Sequence, residues 1–187
     1  DASYFEFLLQ RFAENQNLGV AGTPFVENGR HYDYRFASTD HVSGACQLFR
    51  RACFEQIGGY QPIKGGGIDW IAVTTARMKG WTTRTYTEKT CDHHRQIGTG
   101  NDSALKSNFK YGQKNFVLGG HPLWQIFRSV YLMAKKPYFL GGFLYLLGYT
   151  WAFISGKERS VNPELIQFHR KEQIQRLKNI IMRPFNS

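Results

Sequence analysis

Three consecutive glycines, Gly65, Gly66 and Gly67, directly precede an apolar run with helical spacing that contains Asp69 and ends near Gly80. Glycine tolerates positive φ angles and lets a ligand approach the backbone closely. A carboxylate in the first turn of a helix is favoured in its ionised form by the helix dipole. The pattern predicts that a glycine loop places Asp69 at a helix N-terminus as a candidate general base, with a plain N-cap as the alternative.

The segments on either side of this helix predict an α/β fold. Residues 1–15 and 48–57 have helical spacing, whereas residues 18–26, 32–36 and 82–88 have the composition of strands. Strands and helices that alternate along a chain are typical of α/β domains. We therefore expect the first 102 residues to form one α/β domain.

Five short segments follow one another in a specific order. They are Leu18-Gly19-Val20-Ala21-Gly22-Thr23, Val42-Ser43-Gly44-Ala45-Cys46-Gln47-Leu48-Phe49-Arg50-Arg51, Ile57-Gly58-Gly59-Tyr60, Gly67-Ile68-Asp69-Trp70 with Lys79-Gly80-Trp81, and His93-His94-Arg95. This order resembles the C-terminal half of the catalytic domain of family 2 glycosyltransferases, which are inverting enzymes that use nucleotide sugars. The resemblance implies a partial GT-A fold, a Rossmann-like mixed sheet, that lacks its N-terminal nucleotide-binding half.

The same resemblance assigns the general base. In that family an acidic pair begins this helix, and its second member aligns with Asp69, while Ile68 replaces the first. The implied role of Asp69 is to take a proton from an acceptor hydroxyl. The Asp-x-Asp motif that binds metal and diphosphate in the family is not found in these residues. We therefore expect the chain to be a fragment that is inactive alone.

The segment that begins at Asp92 follows a predicted strand. The resemblance implies that His93 or His94 completes the coordination of a divalent metal, for which Mg or Mn suits the oxygen ligands. It also implies that Arg95 contacts a diphosphate oxygen. Apart from the resemblance, paired histidines in a loop are more often surface residues, since a metal site normally needs three or more converging ligands.

Further candidate substrate contacts lie close to the predicted base. Gly44 and Ala45 leave room for a ligand, although close packing of a strand on a helix explains their size equally well. Gly66 and Gly67 would shape the acceptor pocket. Trp70 could stack on the apolar face of a sugar ring or belong to the core.

The basic residues are concentrated in the last part of the chain. Residues 1–102 contain eleven Lys and Arg against eleven Asp and Glu, whereas residues 103–187 contain thirteen against three, and the net charge is +10. Such asymmetry is typical of a neutral part joined to a basic part that binds an anionic surface. We expect residues 103–187 to form a basic, aromatic, membrane-associated helical region.

Residues 137–156 carry no charged side chain, and twenty residues could just span a bilayer core. Their glycines and tyrosines favour a re-entrant or interfacial helix pair, with a buried soluble helix as the alternative. Residues 165–183 combine apolar and basic side chains in a pattern typical of a helix on anionic lipid, with packing on the preceding helices as the alternative. The predicted location is the cytoplasmic face of the cell membrane.

The three cysteines, Cys46, Cys53 and Cys91, are odd in number and show no C-x-x-C spacing. They therefore imply neither a disulfide framework nor a zinc site. A reducing compartment fits them best.

These features predict an inverting, metal-dependent glycosyltransferase of cell-surface polysaccharide synthesis. It would move a sugar from a nucleotide-diphosphate sugar to a lipid-linked or glycan acceptor. The alternative is a non-catalytic basic module that binds an anionic membrane or a nucleic acid. No nucleic-acid partner is expected, because the chain has no recognised DNA or RNA motif and its long apolar runs are not needed on a nucleic-acid surface.

Overall fold

The computed structural model describes residues 3–26, 38–63, 65–92 and 103–182. The chain divides into two compact units, Asp1–Ile97 and Gly98–Ser187. The first unit mixes helices with short strands, and the described residues of the second form helices and their connections. The protein is therefore mixed α/β with a helical C-terminal region.

The N-terminal unit is assembled around one short strand. Its elements are α1 (Ser3–Glu14), β1 (Leu18–Gly22), β2 (Phe25–Val26), a 3-10 turn (Gly44–Cys46), β3 (Leu48–Phe49), α2 (Arg51–Gln56), α3 (Ile68–Met78), β4 (Thr82–Thr85) and β5 (Cys91–Asp92). Strand β1 lies between β3, to which it is antiparallel, and β4, to which it is parallel. Strands β2 and β5 form a separate parallel pair.

Both faces of β1 are covered, and all five of its residues are buried. Val20 packs with side chains of α2 and α3, including Val73. Leu18 and Ala21 pack with the side chains of α1, including Leu8. Because α3 is held from behind by this core, the position of its first turn is fixed.

Arg50 joins the end of α1 to the start of β1. Its guanidinium donates hydrogen bonds to the carbonyl oxygens of Phe12 at 2.7 Å, Asn15 at 3.1 Å and Leu18 at 3.0 Å. Carbonyl groups at a helix C-terminus lack partners within the helix, and an Arg side chain can satisfy them. Arg50 therefore has a structural role.

The sequence-based element predictions are partly confirmed. The helix predicted after the three glycines is α3, and the strand predicted at residues 82–88 is β4, in which Thr83 and Thr85 are buried and Arg84 is exposed. The helix predicted at residues 48–57 begins later, because its first two residues pair with β1 as a strand. The single strand predicted at residues 18–26 is divided into β1 and β2, and the one predicted at residues 32–36 lies outside the described residues.

Four helices make up the described part of the C-terminal unit. They are α4 (Ala104–Val117), α5 (Pro122–Met133), α6 (Leu140–Ile154) and α7 (Pro163–Met182). Helix α4 begins where the Ser103 side chain accepts a hydrogen bond from the backbone N–H of Lys106. Helix α5 begins with Pro122, and the His121 side chain accepts a hydrogen bond from the backbone N–H of Leu123. Both starts are favourable N-caps.

Helix α6 lies inside the uncharged run of residues 137–156 and has 15 residues. Among the helices that the structure describes, none is long and apolar enough to cross a membrane. The spanning interpretation of residues 137–156 therefore does not describe α6.

The helices of this unit approach each other closely. A methyl group on Gly112 of α4 would overlap the carbonyl oxygen of Tyr145, and one on Gly148 of α6 would overlap that of Phe109. Hydrogen bonds connect α5 to α6: Ser129 Oγ donates to the Gly142 carbonyl at 2.8 Å, and the Tyr145 hydroxyl donates to Gln125 Oε1. Glycine is therefore required where α4 and α6 touch.

Candidate functional site

Asp69 lies in the first turn of α3, as its second residue. The residue before the helix is Gly67, which has a φ of 110° and occupies the N-cap position without any capping side chain. The N-cap interpretation of Asp69 is therefore wrong. The carboxylate remains close to the exposed N–H groups of the first turn, where the helix dipole favours negative charge.

The glycine run before α3 has a clear backbone reason. Gly65, Gly66 and Gly67 have φ angles of 88°, 79° and 110°, a region that residues with a Cβ rarely adopt. This succession of left-handed residues turns the chain into α3. The predicted contact of Gly66 and Gly67 with an acceptor stays a prediction.

Gly44 and Asp69 lie against each other although 25 positions separate them in the sequence. A Cβ on Gly44 would lie 2.8 Å from the Asp69 Cβ, 3.1 Å from its Cγ and 3.0 Å from its Oδ2. Gly44 begins the 3-10 turn, and Ala45 beside it is exposed. The small size of Gly44 therefore makes room for the Asp69 side chain, and two of the predicted site residues meet.

Two residues that the sequence did not single out complete the surroundings of Asp69. The Gln47 side-chain amide donates to the carbonyl oxygens of Val42 at 2.8 Å and of Asp69 at 3.3 Å, so it ties the turn to α3. The Tyr60 hydroxyl donates to Gln47 Oε1 at 2.7 Å. Gln47 and Tyr60 both belong to segments of the glycosyltransferase resemblance. Their place in those segments is the sequence signal that could have identified them.

Tyr60 is 46% exposed, and its hydroxyl is bonded to the Gln47 side chain. Partial burial, and then the negative charge of Asp69, raises the pKa of Tyr60 above its usual value of 10.0. The phenol therefore stays protonated near neutral pH and can donate a hydrogen bond. Its ring packs edge-on against Phe49 and Phe54, with centroids 5.8 and 5.5 Å away, which fixes its position.

Trp70 follows Asp69 on α3 and is half-buried. The buried side chains of α3 are those of Ile71, Ala72, Val73, Thr74 and Ala76. Trp70 is thus not among the buried residues of this helix. Its stacking on a sugar ring stays a prediction.

The cysteines differ from expectation. The sequence implied no disulfide, but the structure joins Cys46, at the end of the 3-10 turn, to Cys91 in β5. Two cysteines 45 positions apart give no local signal of pairing, because only the fold brings them together. Cys53 is a buried free thiol, and burial raises its pKa to about 11, so it is unreactive as a nucleophile.

The predicted metal and diphosphate ligands, His93, His94 and Arg95, lie outside the described residues. Strand β5 ends at Asp92, directly before them. Residues 3–26, 38–63, 65–92 and 103–182 contain no group of three or more His, Cys, Asp or Glu that could hold a metal ion. The described residues alone therefore do not fit a metal site, and metal binding by His93 or His94 stays a prediction.

The described geometry is suited to accepting a proton. A half-buried carboxylate stands at a helix start, next to a residue without a side chain. Gln47, which bonds to the Asp69 carbonyl, accepts a hydrogen bond from the Tyr60 phenol. A hydroxyl that approached Asp69 could transfer its proton to the carboxylate. Comparisons with protein-family models, with curated proteins and with solved structures find no match to this chain.

Proposed function

We propose that the protein is an inverting glycosyltransferase of the family 2 kind with a GT-A fold. It would transfer a sugar from a nucleotide-diphosphate sugar to a lipid-linked or polysaccharide acceptor in cell-surface polysaccharide synthesis. The observation that carries the proposal is the contact of Gly44 with the Asp69 carboxylate in the first turn of α3. Two segments that the glycosyltransferase resemblance links in sequence thus meet around one candidate base.

In the proposed reaction Asp69 is the general base. An acceptor hydroxyl gives its proton to the Asp69 carboxylate while the hydroxyl oxygen forms a bond to the anomeric carbon of the donor sugar. The bond from that carbon to the nucleotide diphosphate breaks at the same time, and the diphosphate leaves with the electron pair. Attack opposite the leaving group inverts the configuration.

The neighbours of Asp69 have positioning roles in this scheme. Gln47 ties the backbone of Asp69 to the segment of the 3-10 turn that carries Gly44. Tyr60 is exposed enough to contact an acceptor and holds Gln47 in turn. Trp70 is the candidate stacking surface for a sugar ring.

The proposal keeps Mg or Mn as cofactor, with His93 or His94 as ligand and Arg95 as a diphosphate contact. These roles rest on the sequence resemblance. When bound, such an ion would neutralise charge on the leaving diphosphate. The proposed location is the cytoplasmic face of the cell membrane, where lipid-linked acceptors and nucleotide sugars are both accessible.

The test is transfer from a panel of UDP-, GDP- and TDP-sugars by the protein in the full length that its gene encodes, with and without Mn. We expect one donor to be used, and Asp69→Asn to lower transfer by about a hundredfold or more, because general-base catalysis contributes that much. Glu55→Gln is the matched control, since Glu55 is an exposed carboxylate that pairs with Arg51 on α2. Unchanged transfer in Asp69→Asn would remove Asp69 from the mechanism.

A second variant tests the geometry separately from the charge. Gly44→Ala keeps the Asp69 carboxylate but displaces it, because the added methyl group would overlap the Asp69 side chain. We therefore expect transfer to fall by about tenfold to a hundredfold. Ala52→Ser is its control, because Ala52 is a small exposed residue on α2 that belongs to no part of the candidate site. If no donor is used by the wild-type protein, the non-catalytic binding module becomes the better interpretation.

A further inference from the structure

The outward side of α6 carries a continuous row of large apolar side chains. They recur at helical spacing, and we call them the α6 stripe: Leu140, Phe143, Leu147, Trp151 and Ile154, which are 49%, 46%, 42%, 54% and 77% exposed. Side chains at intervals of three and four residues lie on one face of a helix. Soluble proteins rarely leave a large contiguous apolar surface in water unless it binds something.

The opposite face of α6 is made of small and hydroxyl-bearing residues. Its buried positions are Gly141, Gly142, Tyr145, Gly148, Tyr149 and Ala152. This face contacts neighbouring helices through close backbone approach. The Tyr149 hydroxyl also donates a hydrogen bond to the Gly120 carbonyl, in the connection between α4 and α5, at 2.8 Å. Packing by small residues and hydrogen bonds, with the large apolar side chains outside, is typical of helices whose outer face meets lipid.

The connection that leads into α6 adds charge and aromatic rings at one end of the stripe. Lys135 and Lys136 are exposed, and Tyr138 and Phe139 after them are 62% and 60% exposed. Phe139 has a φ of 55°, which is uncommon for a residue with a Cβ. Its ring stacks on that of Phe143, with centroids 6.1 Å apart and planes at 8° to each other, so the exposed loop continues the stripe.

We propose that the α6 stripe and the loop of residues 135–139 form a docking surface for an anionic lipid bilayer. The apolar side chains would enter the boundary between head groups and acyl chains, and the two lysines would contact anionic head groups. The proposal rests on the membrane location given under the proposed function and names the surface that makes the contact, but it does not depend on Asp69.

Charge selects the occupant of this surface. Residues 103–187 contain thirteen Lys and Arg against three Asp and Glu. A second copy of the chain would bring the same positive excess to the interface, and like charges repel. An anionic bilayer offers both the opposite charge and an apolar interior.

The test is co-flotation of this chain with vesicles of mixed phosphatidylcholine and phosphatidylserine, compared with pure phosphatidylcholine vesicles. We expect binding to the anionic vesicles, and a loss of about tenfold or more for the double variant Phe143→Ser with Leu147→Ser. The matched control is Phe5→Ser with Leu9→Ser, an exposed Phe and Leu pair with the same spacing on α1. The control should bind as the wild type does.

Charge is tested by one reversal in the loop and one outside the unit. Lys136→Glu should weaken binding to anionic vesicles by more than about fivefold, since one lysine near such a surface contributes about 1 kcal/mol and the glutamate adds repulsion. Lys79→Glu, an exposed lysine after α3, should change binding less than Lys136→Glu. Equal losses for the two reversals would show that only net charge matters, and would overturn the assignment of the loop.

A fluorescence readout guards against misfolded variants. Brominated lipids quench tryptophan at the acyl level, and we expect them to quench the wild-type chain but to quench Trp151→Phe much less, although its stripe stays apolar. Two results would overturn the proposal: flotation of the Phe143 and Leu147 double variant at wild-type levels, or a wild-type dimer in sedimentation that this variant dissociates and that binds no vesicles. Both outcomes are independent of transferase activity.

Discussion

The core of the N-terminal unit and the packed face of α6 bury opposite kinds of side chain. In the N-terminal unit the fully buried side chains of β1, α1 and α3 include Leu8, Leu18, Val20 and Val73. In the C-terminal unit the buried face of α6 consists of glycine, alanine and tyrosine, while its leucines, phenylalanines and tryptophan are half-buried or exposed. The same residue types thus have opposite positions in the N-terminal core and in α6.

The buried side chains show which contacts stabilise each region. The N-terminal unit excludes water from large apolar side chains, which is the usual source of folding free energy. Within the C-terminal unit, α6 is joined to its neighbours by close backbone contact and by buried hydrogen bonds such as that of Ser129. The large apolar side chains on the outer face of α6 remain available to an environment other than water.

The largest expected effect compares one substitution in the two units. Leu18→Ala should lower the free energy of unfolding by about 2–5 kcal/mol, because Leu18 is fully buried. Leu147→Ala, on the outer face of α6, should lower it by less than about 1 kcal/mol in water. Urea unfolding followed by circular dichroism measures both. Equal losses of unfolding free energy in the two variants would contradict the contrast between the N-terminal core and α6, since they would show that Leu147 also stabilises the fold.

An intermediate effect is expected where α6 touches α4. Gly148→Ala adds a methyl group that overlaps the Phe109 carbonyl, so it should destabilise the helical unit by about 1–3 kcal/mol. This loss would occur although alanine is the better helix former by about 1 kcal/mol. Thr150→Ala is the control, since Thr150 is exposed and bonds only to carbonyls of its own helix. A stabilising Gly148→Ala would contradict the close contact.

The smallest expected effect is a pH dependence at the start of α5. Burial, and then the charge of Arg170, lowers the pKa of His121 below its usual 6.5. The unfolded chain therefore binds a proton more readily, and stability should fall slightly as the pH drops through about 6.5 toward the folded pKa. Protonation at Nδ1 would also end the hydrogen bond from the Leu123 N–H, at 3.2 Å.

His121→Asn is the variant that isolates this contribution. Asparagine keeps a capping acceptor but does not titrate in this range. Melting temperatures measured from neutral to mildly acidic pH should decline less in the variant than in the wild type. Identical pH profiles would assign the decline to other groups.

The elements that depend on local residue spacing could be predicted from the amino-acid sequence alone. Helix α3 and strand β4 follow from apolar spacing, from the glycines before the helix and from the alternation of Thr83 and Thr85 with exposed residues. The charge asymmetry between the two parts of the chain was likewise readable from residue counts. Such signals depend on neighbours within a few positions, so no knowledge of the fold is needed.

Contacts between residues far apart in the sequence are evident only in the tertiary structure. The residue spacing around Leu48 predicts a helix, yet Leu48 lies in a strand because it pairs with Ala21 of β1. The contact of Gly44 with Asp69, the link through Gln47 and Tyr60, and the pairing of Cys46 with Cys91 join positions far apart in the chain. Local spacing carries no information on such contacts, because they depend on how β1 and α3 pack together.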